Sequence, residues 1–164
     1  TKHRIECWGF IVREKRNQRK LNIEKVTAHH IPPAFFTKLQ HGEDYISPSG
    51  EIIKNELLTE ENVKAKSYAF CADTIYDESL AEIIKGVDLA YHESTYLSAM
   101  GEKATERFHS TTTQAATIAL KAKVHKLIIG HFSAKFESLE QFETEAREVF
   151  PNTENASEGM TYLI

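Results

Sequence analysis

The sequence predicts an α/β fold, on three observations. From residue 67 onward short apolar strands alternate with amphipathic helical stretches, two of those helices open on capping-box patterns, and a polar residue able to do chemistry follows each of three strands.

The elements follow in order. Arg4 to Val12 is β-branched and aromatic enough for a strand. Asn22 can cap a brief helix that Pro32-Pro33 breaks, a second short helix runs through Phe35 to Leu39, and Ser47-Pro48-Ser49-Gly50 is a turn. From Arg13 to about Asn55 no period is sustained, so this segment reads as an excursion from the core. Ser67 to Ala72 is a strand ending at Asp73. Asp77 can cap a helix with Leu80, Ile83 and Ile84 on one face and Gly86 at its end. Val87 to Tyr91 is a strand ending at His92-Glu93, and Leu127 to Ile129 one ending at Gly130-His131. Between them Thr111 and Gln114 form a capping box for a helix carrying Ala115, Ile118, Ala119 and Ala122. Ser138 and Gln141 form a second box, for a helix with Leu139, Phe142, Ala146 and Val149 that Pro151 stops. Met160 to Ile164 is a closing strand.

With 164 residues the chain has room for one domain and is short for two. A formal charge of −4 and a pI near 6.1 exclude a general nucleic-acid coat, though not a local basic patch. Such a patch is present: Arg13, Lys15, Arg16, Arg19 and Lys20 stand against Glu14 alone, a local charge of +4, whereas 137–148 holds five Glu against one Arg. Taken alone, the basic run reads as a solvated face. The longest apolar runs, such as Leu127-Ile128-Ile129, fall far short of the roughly 18 residues a bilayer span needs. No signal peptide opens the chain and Cys7 and Cys71 form no disulfide framework, so no membrane and a cytoplasmic location are expected. The chain opens on Thr1, directly on a strand-like stretch, as a piece of something longer would.

In an α/β sheet, sites form where strands end and loops converge, which singles out Asp73, His92-Glu93 and His131. His109 lies two residues before the Thr111 cap, beside a helix start that favours anions. Aspartate and imidazole are zinc ligands, and zinc-bound water becomes a nucleophile near neutral pH, so the set suits metal-assisted phosphoryl chemistry. An Asp after a strand is equally a turn former, and His131 could simply bond a loop. His29, His30, His41 and His125 read as surface residues.

The ordered strings Cys71-Ala72-Asp73-Thr74, His92-Glu93-Ser94-Thr95, His109-Ser110-Thr111 with Gln114-Ala115-Ala116, and Gly130-His131-Phe132-Ser133-Ala134-Lys135-Phe136 closely resemble ribonuclease Z, the tRNA 3′-processing endonuclease family. His3-Arg4-Ile5-Glu6-Cys7-Trp8-Gly9-Phe10 resembles that family's internal histidine strand, and 20–44 its protruding tRNA-binding arm. The resemblance implies the C-terminal portion of a metallo-β-lactamase-like αββα sandwich across 1–164, with an arm at 13–55. It implies that His3 and His131 each ligate one of two zinc ions, that Asp73 bridges both, and that His109 is the catalytic histidine oriented by Glu93. Arg13, Lys15, Arg16, Arg19 and Lys20 become phosphate contacts to precursor tRNA, with weaker phosphate contacts from Ser110, Ser133 and Lys135. The whole protein is expected to be a homodimer.

The chain departs from the family pattern at Lys135 for Arg, Phe136 for Tyr, Ser94 for Ala, and Pro33-Ala34-Phe35 for a Gly-Pro pair. The family's H-x-H-x-D-H motif is not in the sequence. Each zinc would then have two protein ligands here, against the usual three, so this chain alone is expected to bind zinc weakly or not at all and to cleave little or nothing. Two rival readings are a small-nucleotide phosphodiesterase of the same fold, which has no need of a basic arm, and a metal-free binding or regulatory module.

Overall fold

The computed structural model describes residues 1–15 and 18–164, and the chain divides into two compact units, Thr1–Glu14 with Lys66–Ile164, and Lys15–Ala65. The first strand, β1, is Phe10–Arg13, not the whole of 4–12: it pairs antiparallel with a later strand over four residues only (Phe10↔Phe70 to Arg13↔Ser67), and all four are exposed. Earlier in the chain, pairing is replaced by two backbone contacts of Lys2, whose N–H donates to Thr74 Oγ1 (3.0 Å) and whose carbonyl accepts from Ile75 (2.8 Å).

The second unit has a core of its own, which its irregular sequence concealed. It runs β2 (Lys20–Leu21), α1 (Ile23–Ala28), α2 (Phe36–Gln40), β3 (Tyr45–Ile46), β4 (Ile52–Ile53), α3 (Asn55–Leu58) and β5 (Thr59–Glu60), with β2 paired to β5 and β3 to β4. Asn22 caps α1, accepting from Lys25 N at 3.1 Å, and the Ser47–Gly50 turn closes the β3–β4 hairpin with Gly50 at φ +87°. Val26, Ile31, Leu39, Ile53 and Leu58 are buried together. Asn55 is buried but satisfied: its Nδ2 donates to Leu39 O and Glu43 O, and its Oδ1 accepts from Thr59 Oγ1.

After this unit come β6 (Ser67–Cys71), α4 (Ser79–Ile83), β7 (Leu89–Glu93), α5 (Gly101–Arg107), α6 (Thr112–Ala122), β8 (Lys126–Gly130), α7 (Glu140–Val149) and β9 (Thr153–Asn155). Among the described residues they build a five-stranded sheet in the order β1-β6-β7-β8-β9, with β6 to β9 parallel. Alternation sets one face: Ala69, Cys71, Ala90, Leu127 and Ile129 bury against Ile118, Ala119, Phe142 and Ala146 of α6 and α7. The other face carries Tyr68, Leu89, Tyr91 and Ile128, which with Tyr162 and Ile164 line an apolar groove. Among the described residues no helix is long and apolar enough to cross a membrane.

Four local expectations are corrected. Ile83 faces solvent, because α4 ends there and the residues that turn inward are Leu80, Ala81 and Ile84. β7 begins at Leu89 and continues through Glu93, so His92 and Glu93 lie in the strand. The second capping box does not form: α7 starts at Glu140, and Ser138 Oγ accepts weakly from Glu140 N at 3.3 Å. The closing strand is the polar Thr153–Asn155, which pairs with β8, and residues 160–164 form none. The Thr111–Gln114 capping box is present in full.

Candidate functional site

Parallel register places Asp73, Glu93 and His131 at the carboxyl ends of β6, β7 and β8, where Cys71 opposes His92 and Glu93 opposes Gly130. His3 arrives from the chain start, held by the Lys2 contacts beside Thr74. His109 follows α5, which ends at Phe108 in the left-handed region (φ 61°). His131 is itself left-handed (φ 60°), a conformation His adopts more readily than most residues. Gly130 precedes it for want of room: a Cβ there would lie 2.6 Å from the Tyr91 hydroxyl.

Glu93 is the centre of this arrangement. Its carboxylate is fully buried and accepts from five donors: Thr74 N (3.2 Å), Ser110 N (2.9 Å) and His109 Nδ1 (3.0 Å) on Oε1, and Thr95 N (2.9 Å) and Thr95 Oγ1 (2.8 Å) on Oε2. Such saturation lets a carboxylate stay buried. The imidazoles of His3 and His131 stand on either side of His109, with ring centroids 4.9 and 5.2 Å from its own.

Each of the three histidines has its Nδ1 committed. His3 Nδ1 donates to the Phe108 carbonyl (2.8 Å), His109 Nδ1 to Glu93, and His131 Nδ1 faces Thr95 Oγ1 at 2.8 Å. Nε2 is therefore the free nitrogen of each ring, as suits a metal-ligating or proton-transferring imidazole. His131 Nε2 lies 3.6 Å from Asp73 Oδ2, too far for a hydrogen bond and close to the ~3.4 Å that separates two ligands each ~2.0–2.1 Å from a tetrahedral ion. Two groups offer donor atoms within 4.8 Å of one another: His3, Asp73 and His109, and Glu93, His109 and His131. The nitrogen and oxygen donors fit zinc.

The other predicted residues fall less centrally. Ser110 is buried, with Oγ donating to Thr74 O at 2.8 Å, so its hydroxyl holds the loop. The N–H groups of Thr111, Thr112 and Gln114 at the start of α6 are bonded to Gln114 Oε1, Tyr96 O and Thr111 Oγ1, which withdraws them from any phosphate. Ser133 N donates to Thr95 O at 3.1 Å, Lys135 is exposed, and Phe136 packs edge-on against Phe142. In the second unit Lys15 and Lys20 are exposed, while Arg19 Nε donates to Thr59 Oγ1 at 2.7 Å; Arg13 is exposed on β1, and Arg16 lies outside the described residues. His92 points away from the site, buried, with Nδ1 donating to Glu93 O at 2.6 Å, and burial lowers its pKa. His29, His30, His41 and His125 are exposed. Thr95, which joins Glu93 to His131, was visible in the sequence only as part of a motif string.

No family model matches the chain. Relatives do. It is 42% identical over 159 residues to ribonuclease Z of Parabacteroides distasonis, covering 97% of this chain and 52% of that protein. It is 40% identical over 163 residues to ribonuclease Z of Bacteroides thetaiotaomicron, covering 99% of this chain and 52% of that one. The chain is homologous to ribonuclease Z. It spans about half the length of the curated ribonuclease Z relatives it matches. The fold is that of the metallo-β-lactamase proteins: the crystal structure of YhfI from Bacillus subtilis, a metallo-β-lactamase fold protein, superposes with a TM-score of 0.54 at 23% identity, over 58% of this chain and 39% of that one.

Proposed function

We propose that this chain is part of a zinc-dependent endoribonuclease that removes the 3′ trailer of precursor tRNA. The observation that carries the reading is the convergence of His3, Asp73, His109 and His131 around the buried Glu93, in a chain homologous to ribonuclease Z throughout. His3 and His131 would each hold one zinc ion and Asp73 both. When bound, zinc supplies Lewis-acid activation of water and neutralises phosphate charge.

The chain's own residues account for the remaining steps. His109 in its imidazolium form presents Nε2–H to the leaving 3′-oxygen, with Nδ1–H anchored on Glu93 and the carboxylate balancing the charge. The product is a tRNA 3′-hydroxyl. Arg13, Lys15, Arg16, Arg19 and Lys20 contact tRNA phosphates without reading bases, so binding weakens as salt rises. The whole protein is a cytoplasmic homodimer. Both thiols are free, as a reducing compartment requires. With two ligands per ion, this chain alone binds zinc weakly and cleaves little.

The test compares precursor tRNA with bis(p-nitrophenyl) phosphate in the longer protein, with and without residues 15–65. Loss of tRNA cleavage alone supports the reading; equal loss on both substrates, or full turnover in His109→Ala, overturns it. Tight stoichiometric zinc in the purified 164-residue chain would overturn the proposal of weak binding.

A further inference from the structure

We propose that Thr95 is a positioning residue that fixes the tautomer of His131 and ties it, with His109, to a single buried carboxylate. The argument is one of proton counting. Both oxygens of Glu93 receive backbone N–H groups, Ser110 N and Thr74 N on Oε1 and Thr95 N on Oε2, so both act as acceptors. The Thr95 hydroxyl, 2.8 Å from Oε2, must spend its one proton there. Toward His131 Nδ1, also 2.8 Å away, that oxygen can then only accept. Nδ1 therefore carries the ring proton, and Nε2 is left with a lone pair on the side of Asp73 Oδ2.

The local structure makes this constraint strong. Thr95 is buried, its β-branched side chain has few rotamers, and its own N–H grips the same carboxylate oxygen as its hydroxyl. Its carbonyl accepts from Ser133 N, so one residue holds both the His131 ring and the loop that follows it. The His131 side chain is 46% exposed and so is poorly fixed by packing. An unrestrained neutral imidazole in water prefers its proton on Nε2, the tautomer that would point N–H toward Asp73. Without Thr95 the ring would relax to that form or turn away.

The functional meaning of the tautomer rests on the proposed zinc site, but the tautomer itself can be read without metal or RNA. Nitrogen-15 correlation spectra of the imidazoles in the metal-free chain, in mildly alkaline buffer, should show His131 protonated at Nδ1. Thr95→Val should move the proton largely to Nε2, and Thr95→Ser, which keeps the hydroxyl, should restore Nδ1. Zinc titration of the longer protein should show a dissociation constant raised ~10–100-fold in Thr95→Val and little changed in Thr95→Ser. Wild-type His131 protonated at Nε2, or a folded Thr95→Val that retains Nδ1–H, overturns the proposal. If Thr95→Val does not fold, Thr95→Ala takes its place: Nε2–H on His131 supports the proposal and retained Nδ1–H overturns it. A tautomer shift with unchanged zinc affinity would uphold the positioning role and count against the zinc site.

Discussion

Glu93 Oε1 accepts the Nδ1–H of His109 at 3.0 Å, with the carboxylate fully buried and the imidazole 15% exposed. The acid is thus the fixed partner and the base the one that meets solvent. That fixity comes from Thr74, Thr95 and Ser110, whose N–H groups converge on the same carboxylate from three loops. Glu93→Ala should leave those buried donors unmatched and cost ~3 kcal/mol or more of stability. Glu93→Gln keeps the volume but has one acceptor oxygen in place of two, and should cost ~1–3 kcal/mol. Urea unfolding measures both; a loss below ~1 kcal/mol for the alanine variant would mean the carboxylate does not organise the loops.

The helix starts should separate by their caps. Thr111 Oγ1 accepts from Gln114 N while Gln114 Oε1 accepts from Thr111 N, whereas Ser138 Oγ only approaches Glu140 N at 3.3 Å, next to exposed residues. Thr111→Ala should cost ~1–2 kcal/mol and Ser138→Ala a few tenths, compared by denaturant midpoints at constant m.

The two caps also mark what a sequence can and cannot convey. The pattern T-x-x-Q is followed by five inward-facing residues of one long helix, so local chemistry and packing agree; at Ser138 the same pattern loses because α7 begins two residues later, with Leu139 itself packed on the core. β6, β7 and β8 were legible as apolar runs, and with them the strand-end positions of Asp73, Glu93 and His131. β9 was not, because Thr153-Glu154-Asn155 holds its place by pairing with β8, not by hydrophobicity. The second unit escaped for a related reason: elements of two to six residues are too short to show a period, though four buried aliphatic side chains from them meet Ile31 of an intervening loop. His3 was offered by the sequence only through the family resemblance, and Thr95 only within a motif string, because both meet the candidate site through long-range contacts that no periodicity records.

The two thiols should differ sharply in reactivity. Cys71 is buried on β6 and burial pushes its pKa up to about 11, so little thiolate forms near neutral pH; Cys7 is half-exposed. Alkylation of the native chain with iodoacetamide should label Cys7 in minutes and spare Cys71 until denaturant is added, as read by peptide mass spectrometry. Equal labelling in the native state would show that the face of β6 against the helices opens readily.

Buried His92 should make the fold sensitive to mild acid. Its Nδ1–H is donated to the Glu93 carbonyl and burial disfavours its charged form, which lowers the folded-state pKa below the ordinary 6.5. Above about pH 6.5 the ring is neutral in both folded and unfolded chains and adds no pH dependence. As pH falls below that value the unfolded chain takes up a proton that the folded chain refuses, so stability is lost, at up to ~1.4 kcal/mol per pH unit, until the folded pKa is reached. His92→Asn, whose Nδ2–H can replace the donor to Glu93 O, should remove this slope while keeping most of the neutral-pH stability. Urea midpoints at a series of pH values below neutrality measure the difference. An unchanged slope in the asparagine variant would assign the acid sensitivity to other groups.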